Sequence, residues 1–182
     1  MKTSETLKEI LQKSLEEYNR LADQDRDQIL RSLAPGQKAP ATGKLYTDGA
    51  KKAYKDYTEK AKARAFEVID TEIAKTNKAI AAAPSTEAIN TLTALSIAKS
   101  KDPRDYEAVY AEYGRTVQVA KALNALAKEN GVRFLVDTPE LDRLESLQSI
   151  RSTFNSFLRD TNVPDNGRVS FIGWDIDNAG ID

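Results

Sequence analysis

The stretch from Asp48 to Ala83 constrains the fold most, because it keeps helical periodicity over about 35 residues without a proline. At a rise of about 1.5 Å per residue, one helix of that length is a rod of roughly 50 Å. Such a rod needs long neighbours, which favours coiled-coil-like pairing or a long bundle. The positions that set the periodicity are Ala50, Tyr54, Tyr57, Ala61, Ala65, Ile69, Ile73, Ile80 and Ala83.

Start and stop signals predict further helices on both sides of this rod. Ser4 and Ser85 stand where N-caps are expected, and Asp102 and Thr138 each precede a proline suited to the first helical position. The helix that starts after Asp102 is predicted to continue to a stop at Gly131. The apolar stripe of the helix after Thr138 is the strongest in the chain and is expected to anchor the core: Leu141, Leu144, Leu147, Ile150, Phe154, Phe157 and Leu158.

Two polar or irregular segments interrupt the helical pattern. The run "DQDRDQ", residues 23–28, is interpreted as a solvated turn of the first helix or as a bend in it. Residues 34–46 begin with "APGQKAPATGK" and are predicted to form a flexible linker, because prolines and glycines without periodicity mark such segments. We therefore expect an N-terminal helix at 1–33, the linker at 34–46 and a helical bundle core at 47–160.

Residues 161–182 are predicted to form a hairpin or an extended arm. In "RVSFIGWDIDNAGID", Val169 and Phe171 alternate with polar residues, and Asn166–Gly167 is the pair favoured in a tight hairpin turn. The residues predicted to bind a partner are Phe171, Ile172, Trp174 and Ile176. In an extended segment, Val169 and Phe171 lie on one face, and the other face carries Ile172, Trp174 and Ile176. Both apolar faces must then be buried, either against a protein partner or in a groove of the chain's own bundle. The apolar "VRFLV", residues 132–136, is a short strand or a buried connector.

The residue types that are missing exclude most familiar chemistry. The 182 residues contain no Cys and no His, which removes thiolate nucleophiles, Cys-based metal sites and the usual proton carrier near neutral pH. With 27 Lys and Arg against 28 Asp and Glu, the net charge is −1 and gives no global attraction for nucleic acid. Since no signal peptide or long apolar run is present, we expect a cytoplasmic protein without membrane contact.

A local basic segment supports an alternative function. "KKAYKDYTEKAKAR", residues 51–64, combines tyrosines that stack on bases with cations that neutralise phosphates. The other reading places Tyr54 and Tyr57 in the core and leaves the lysines as a solvated face. The cations of the alternative are Lys51, Lys52, Lys55, Lys62 and Arg64.

Two further clusters predict no site. The acidic end "DIDNAGID" resembles a calcium loop only in part, because Ala179 stands where an oxygen ligand is needed and no twelfth-position Glu follows. We therefore expect no metal, no cofactor and no catalytic residue. The tyrosines at 106, 110 and 113 are expected in the core, with an aromatic partner surface as the alternative.

Together these features predict a mainly α fold, an elongated bundle of about five helices with a small C-terminal β element or extended arm. The predicted function is that of a non-catalytic structural or assembly protein, which binds other proteins or its own copies through long helices and terminal arms. This general character, rather than any motif, fits a bacteriophage virion or accessory component. The alternative is a nucleic-acid-binding accessory protein that uses residues 51–64.

Overall fold

The computed structural model describes residues 2–158 and 166–181, and within them the chain is helical. The mainly α prediction is confirmed. These described parts contain seven helices: α1 Thr3–Ser32, α2 Asp48–Ile80, α3 Thr86–Ala98, α4 Pro103–Tyr113, α5 Val117–Glu129, α6 Pro139–Phe157 and α7 Asn166–Asn178. The long rod predicted from Asp48 is present as α2, with 33 residues.

The contacts group the described residues into two compact units. Unit 1 contains the described parts of Met1–Glu72 and Ser146–Asp182, and unit 2 contains Ile73–Glu145. Compact units need not be separate domains, so the predicted division at residues 33, 46 and 160 stays a prediction.

Unit 2 is organised by capped helices around one apolar cluster. The Ser85 hydroxyl accepts a hydrogen bond from the Ala88 amide, and the Asp102 carboxylate accepts one from the Arg104 amide, as the N-cap signals predicted. Tyr106 is fully buried and donates its hydroxyl proton to the Ser100 carbonyl at 3.1 Å, which confirms a core role for that tyrosine. The buried residues of the cluster are Ala88, Leu95, Tyr106, Val109, Val119, Leu123 and Ala127.

The helix predicted between Asp102 and Gly131 is in fact two helices, α4 and α5. The chain leaves the helix after Gly114, and Thr116 is extended at the start of α5. A Cβ atom at Gly114 would lie 2.5 Å from the Tyr110 carbonyl oxygen, so this turn requires glycine. The stop at Gly131 is confirmed: its φ is +68°, and the Val132 amide bonds to the Ala127 carbonyl at 2.8 Å.

Residues 132–136 form the connector, not a strand. Val132 and Phe134 are half-buried, whereas the Leu135 side chain is 82% exposed. The side-chain amide of Asn124 fixes the end of this segment, because it both donates to the Val136 carbonyl and accepts from the Val136 amide, each at 2.9 Å. The Asn124 side chain therefore supplies the two backbone hydrogen bonds that a neighbouring strand would otherwise provide.

In unit 1, α1 continues as one helix through the polar run 23–28, and Asp25 within this run is buried rather than solvated. Tyr18 of α1 packs edge-on against Tyr54 of α2, with ring centroids 5.0 Å apart. The Tyr18 hydroxyl donates to the Gly43 carbonyl at 3.3 Å, and Arg26 donates to the Pro40 carbonyl at 3.4 Å. The Tyr46 amide also donates to Asp25, so the segment predicted to be a linker contacts α1 at three points, while its flexibility stays a prediction.

The apolar stripe of α6 is buried, as predicted, at five of its seven positions. Leu147, Ile150, Phe154, Phe157 and Leu158 are at most 4% exposed, whereas Leu141 and Leu144 are half-buried. Val117 and Val119 are also buried, in unit 2.

The predicted C-terminal β element is wrong, because Asn166–Asn178 is a helix. Val169, Ile172 and Ile176 follow one another at steps of three and four, which is also the spacing of a helix face. That face packs on the chain itself, since α7 contacts α1. Packing against a neighbour stabilises a helix that local propensity leaves undecided, and it does so here despite Gly173. The predicted extended arm is therefore wrong as well, since Asn166–Asn178 is a helix that packs on α1; the segment 159–165 before it lies outside the described residues.

Candidate functional site

The four residues predicted to bind a partner lie on two different faces of α7. Ile172 and Ile176 are 4% and 1% exposed, so the chain itself covers them. Phe171 and Trp174 are 64% and 63% exposed. Of the four residues, only Phe171 and Trp174 therefore remain candidates for binding a partner. The two isoleucines lie on the other face of α7 and hold the helix against the rest of the chain.

The two exposed aromatic side chains form one surface, which we call the α7 aromatic pair. Their ring centroids are 6.5 Å apart and their planes are inclined by 29°, which is a stacked arrangement. Stacked rings of this kind restrict each other's rotamers, so less side-chain entropy is lost when a partner covers them. Large aromatic side chains are also the residues most enriched in the centres of protein interfaces.

Polar contacts hold the far end of α7. Lys8 of α1 forms an ion pair with Asp177, and both side chains stay partly in solvent. The Asn178 side chain donates to the Trp174 carbonyl at 2.7 Å and completes the last turn. The aromatic pair therefore projects from a helix that is tied to α1 by buried isoleucines and by a surface ion pair.

A groove lies beside the aromatic pair, between α6 and α7. Its volume is about 510 Å³, and Phe157, Phe171 and Ile172 give it an apolar wall. Hydroxyl groups of Ser152, Thr153 and Ser156 line the α6 side. The Arg168 guanidinium carbon lies 6.0 Å from the centre of the Phe157 ring. The groove can thus accept an apolar or aromatic side chain and offers polar groups at its edge.

Of the five basic residues of the nucleic-acid alternative, the four lysines lie within about 100° of one another around α2, and only Arg64 lies on the other side. Lys51 and Lys62 lie on the same side, since eleven residues turn an α-helix by about 1,100°, close to three full turns. Arg64 lies nearly opposite Lys62, because two residues turn the helix by about 200°. Acidic groups accompany both sides: Lys51 lies 3.8 Å from Asp48, and the pKa of Glu9 is lowered first by its hydrogen bond with Lys13 and also by the charge of Arg64.

The remaining lysines of the segment are at the surface or engaged with aromatic rings. Lys52 and Lys55 are exposed, whereas the Lys62 ammonium lies 5.4 Å above the Phe66 ring. Arg151 lies over the same ring at 4.3 Å and forms an ion pair with Asp70 at 2.7 Å. Phe66 is therefore already covered by cations of this chain.

The tyrosines of this segment pack inside unit 1. Tyr54 is 4% exposed, and burial raises its pKa strongly. Tyr57 is half-buried, and its raised pKa comes from burial and then from the nearby Glu17 carboxylate. Tyr54 is therefore a core residue, as the core interpretation expects, whereas Tyr57 keeps part of its side chain at the surface.

Asp25 is a structural residue that the sequence analysis missed. Its side chain is 3% exposed, and it accepts hydrogen bonds from the Tyr46 amide at 2.5 Å, the Thr47 amide at 3.0 Å and the Thr47 hydroxyl. The Thr47 hydroxyl in turn caps α2 by accepting from the Ala50 amide at 3.2 Å. The sequence did contain a signal for the burial of Asp25, because it lies seven residues after Tyr18 and therefore on the same face as the apolar stripe of α1.

Among the described residues, the carboxyl groups with shifted pKa values are Glu9, Glu17 and Asp25, and each pKa is lowered, which favours the ionised form. The hydrogen bond from Lys13 lowers the pKa of Glu9, and the one from Arg20 lowers the pKa of Glu17. For Asp25, burial raises the pKa, but the hydrogen bonds from Thr47 and Tyr46 outweigh it and leave the pKa below its ordinary value. A general acid at neutral pH needs the opposite shift.

The acidic residues of the described parts of the chain do not gather into a metal site. In residues 2–158 and 166–181, no group of three or more carboxylates is placed to hold a metal ion. Asp182, the last carboxylate of "DIDNAGID", lies outside these residues. Over the same ranges no helix combines the length and the apolar character that a membrane crossing requires.

Comparison with known proteins does not assign a function to these residues. No protein-family model, no curated protein and no solved structure matches the chain significantly.

Proposed function

We propose that this chain is a non-catalytic binding protein that contacts other proteins or its own copies through the α7 aromatic pair. The observation that carries the proposal is the exposure of Phe171 and Trp174, side by side, on a helix whose opposite face is docked. An exposed aromatic patch costs solvation free energy in an isolated chain, and such patches commonly mark interfaces. A structural or assembly role in the cytoplasm, or in a bacteriophage particle, is the setting that we propose for it.

The charge environment supports a binding role over an enzymatic one. Each shifted carboxyl described above stays ionised near neutral pH, and its partner is a lysine, an arginine or a capping hydroxyl of the same chain. Such groups fix helices and termini, whereas catalytic acids are tuned towards the working pH.

The test compares Phe171→Ser/Trp174→Ser with the wild type in pull-downs from the native host, with quantification of each co-purified protein. A buried tryptophan anchor at an interface commonly contributes about 2 kcal/mol or more, so the double variant should lose at least roughly thirtyfold in affinity for a true partner. Leu135→Ser is the matched control, because it removes a still more exposed apolar side chain from unit 2.

The possible outcomes distinguish protein binding through the α7 aromatic pair from the nucleic-acid alternative. Loss of the same partners from the double variant, with retention by Leu135→Ser, supports the proposal. Retention of all partners by the double variant contradicts it. A salt-sensitive complex with DNA that disappears in Lys51→Glu/Lys55→Glu would instead support the nucleic-acid alternative, since release of counterions makes phosphate contacts depend on salt.

A further inference from the structure

We infer that residues 133–137 of unit 2 are an unpaired strand edge, and that two copies of this chain pair antiparallel along it, with Leu135 of one copy opposite Leu135 of the other. This edge contains neither Phe171 nor Trp174, so the pairing goes beyond the proposed function. Two observations carry it: backbone groups that are free at alternate residues, and an order of side chains that is complementary to itself.

The inner side of this segment is bonded to the chain itself. The Val132 amide donates to the Ala127 carbonyl at 2.8 Å. The Val136 amide and carbonyl both bond to the Asn124 side chain at 2.9 Å. Between them, the Phe134 amide donates to the Val132 carbonyl at 3.0 Å, in a three-residue turn of a kind common at strand ends. These even-numbered residues are half-buried and fix the segment beside α5.

The outer side of the segment has free backbone groups. Arg133, Leu135 and Asp137 are exposed, and within the described parts of the chain nothing bonds to their amides or carbonyls. Alternation with a period of two is the property of extended backbone, in which bonding groups and side chains change side at each residue. An edge that presents free N–H and C=O groups at every second residue is a template for a strand of another chain.

The side chains of the outer residues select a second copy as that strand. In chain order they are a cation, an apolar group and an anion, at Arg133, Leu135 and Asp137. In an antiparallel pair centred on Leu135, Arg133 of each copy lies opposite Asp137 of the other, and the two leucines meet at the twofold axis. Opposite charges and apolar groups in directly opposed positions stabilise a strand pair. A parallel pair in the same register would place like charges opposite each other, which destabilises it.

Both charges are available for this pairing. Among the described residues, neither the Arg133 guanidinium nor the Asp137 carboxylate has an ion pair or a hydrogen bond. Two symmetric Arg133–Asp137 pairs would therefore form between copies without breaking a contact inside either copy. Charge complementarity between identical surfaces is what an isologous contact requires.

The backbone bonds also limit the assembly to two copies. Residues whose peptide groups face the partner exchange two hydrogen bonds with the residue opposite, so three opposed pairs give about six bonds. The other side of each strand is already bonded to Asn124 and α5, so no third strand can add there. The pairing therefore closes as a dimer rather than continuing as a fibre.

The small size of the edge sets the expected strength. Each copy contributes one exposed apolar side chain, Leu135, and only three residues with free peptide groups. Such an interface lies below the 1,200 Å² or so at which stable interfaces begin. We therefore expect a reversible dimer with a dissociation constant of about 0.1 mM or weaker.

The experiment combines sedimentation equilibrium of the full chain, from about 10 µM to a few millimolar, with amide hydrogen exchange measured by NMR at both ends of that range. The wild type should associate, and the exchange of the Arg133, Leu135 and Asp137 amides should slow as concentration rises, because those amides become bonded. The amide of Lys101, which is exposed in a loop of the same unit, is the internal control and should not change.

A charge exchange tests the antiparallel register. Arg133→Glu and Asp137→Arg each turn two attractive pairs into repulsive ones, so each should weaken the dimer by about tenfold. The combined variant restores opposite charges and should recover the wild-type affinity to within about threefold. Lys101→Glu changes an exposed cation away from the edge and should leave the affinity unchanged.

A backbone change tests the strand pairing itself. Leu135→Pro removes the central N–H, which has no bond inside the described chain, and should weaken the dimer by at least about tenfold. Ile97→Ser removes an apolar side chain of similar exposure from α3 and should have no effect. Thermal unfolding of each variant checks that unit 2 is intact, and the charge exchange decides the matter if Leu135→Pro does not fold.

The outcomes also separate this edge from the α7 aromatic pair. A wild type that stays monomeric at millimolar concentration, or whose Arg133, Leu135 and Asp137 amides exchange at a constant rate, overturns the pairing. Single charge variants that weaken the dimer without recovery in the combined variant overturn its register. If Phe171→Ser/Trp174→Ser abolishes self-association while Leu135→Pro retains it, the copies pair through α7, so this inference fails and the proposed function stands. The reverse pattern supports the strand pairing, and Leu135→Ser should then still hold any partner of the α7 aromatic pair.

Discussion

Replacement of Asp25 tests most directly how unit 1 is held together. Asp25 of α1 accepts three hydrogen bonds from Tyr46 and Thr47, and through Thr47 it supports the N-terminus of α2. A hydrogen bond to a charged group contributes about 1.5–3 kcal/mol. Bonds that share one side chain are not additive, so we expect Asp25→Ala to lower the free energy of unfolding by about 3–5 kcal/mol.

Asp25→Asn separates the charge from the hydrogen bonds. The Asn oxygen can still accept from the two backbone amides, and its NH₂ group can donate to the Thr47 hydroxyl. Because only the ionic part is lost, the expected cost is about 1–2 kcal/mol. Urea unfolding monitored by far-UV circular dichroism measures both variants. Asp23→Ala is the control, because Asp23 is an exposed carboxylate of the same helix and should change stability by no more than about 0.5 kcal/mol.

The pH dependence gives a second, independent check. The pKa of Asp25 is lower in the folded chain than its ordinary value. Its contribution to stability is therefore fully present above the unfolded pKa of about 3.9 and is lost as the pH falls through the folded value. The difference between wild type and Asp25→Asn should shrink below about pH 4. A difference that stays constant from neutral to acidic pH, or coincident curves for Asp25→Ala and Asp23→Ala, would refute the reasoning.

Three further predictions concern the core, the loop and the turn. Phe154→Ala should cost about 3–5 kcal/mol because the ring is fully buried, and unfolding curves that overlay the wild type would contradict this. Trypsin should cleave first after Lys38 or Lys44 if residues 34–46 are flexible, and Asp25→Ala should accelerate the cut at Lys44; earlier cleavage elsewhere would show a packed loop. Gly114→Ala should lower the free energy of unfolding by about 1–3 kcal/mol, because the added Cβ would meet Tyr110. Gly49→Ala should raise it by up to about 1 kcal/mol, because no atom lies within 4 Å of the added Cβ. Effects of equal sign would contradict the conclusion that the turn at Gly114 requires glycine.

The sequence alone determined where most of the chain before residue 158 is helical and where several helices begin or end. Periodicity identified α2, and the stripe at Leu147, Ile150 and Phe154 identified the buried face of α6. The caps at Ser85 and Asp102 and the stop at Gly131 were also readable, because they depend on bonds between residues close together in the chain. The signal is not infallible, because Ser4 was predicted as an N-cap and lies inside α1, whose N-cap is Lys2.

Tertiary structure decided the state of the C-terminus and the role of Asp25. The spacing of Val169, Phe171, Ile172, Trp174 and Ile176 fits either a strand or a helix, and only the contact with α1 selects the helix and sends Phe171 and Trp174 outward. Asp25 stands in a run of polar residues that reads as solvated, yet Tyr46 and Thr47, more than twenty positions later, bury its carboxylate. Both outcomes depend on groups distant in sequence, whose approach is decided by packing free energy rather than by local pattern.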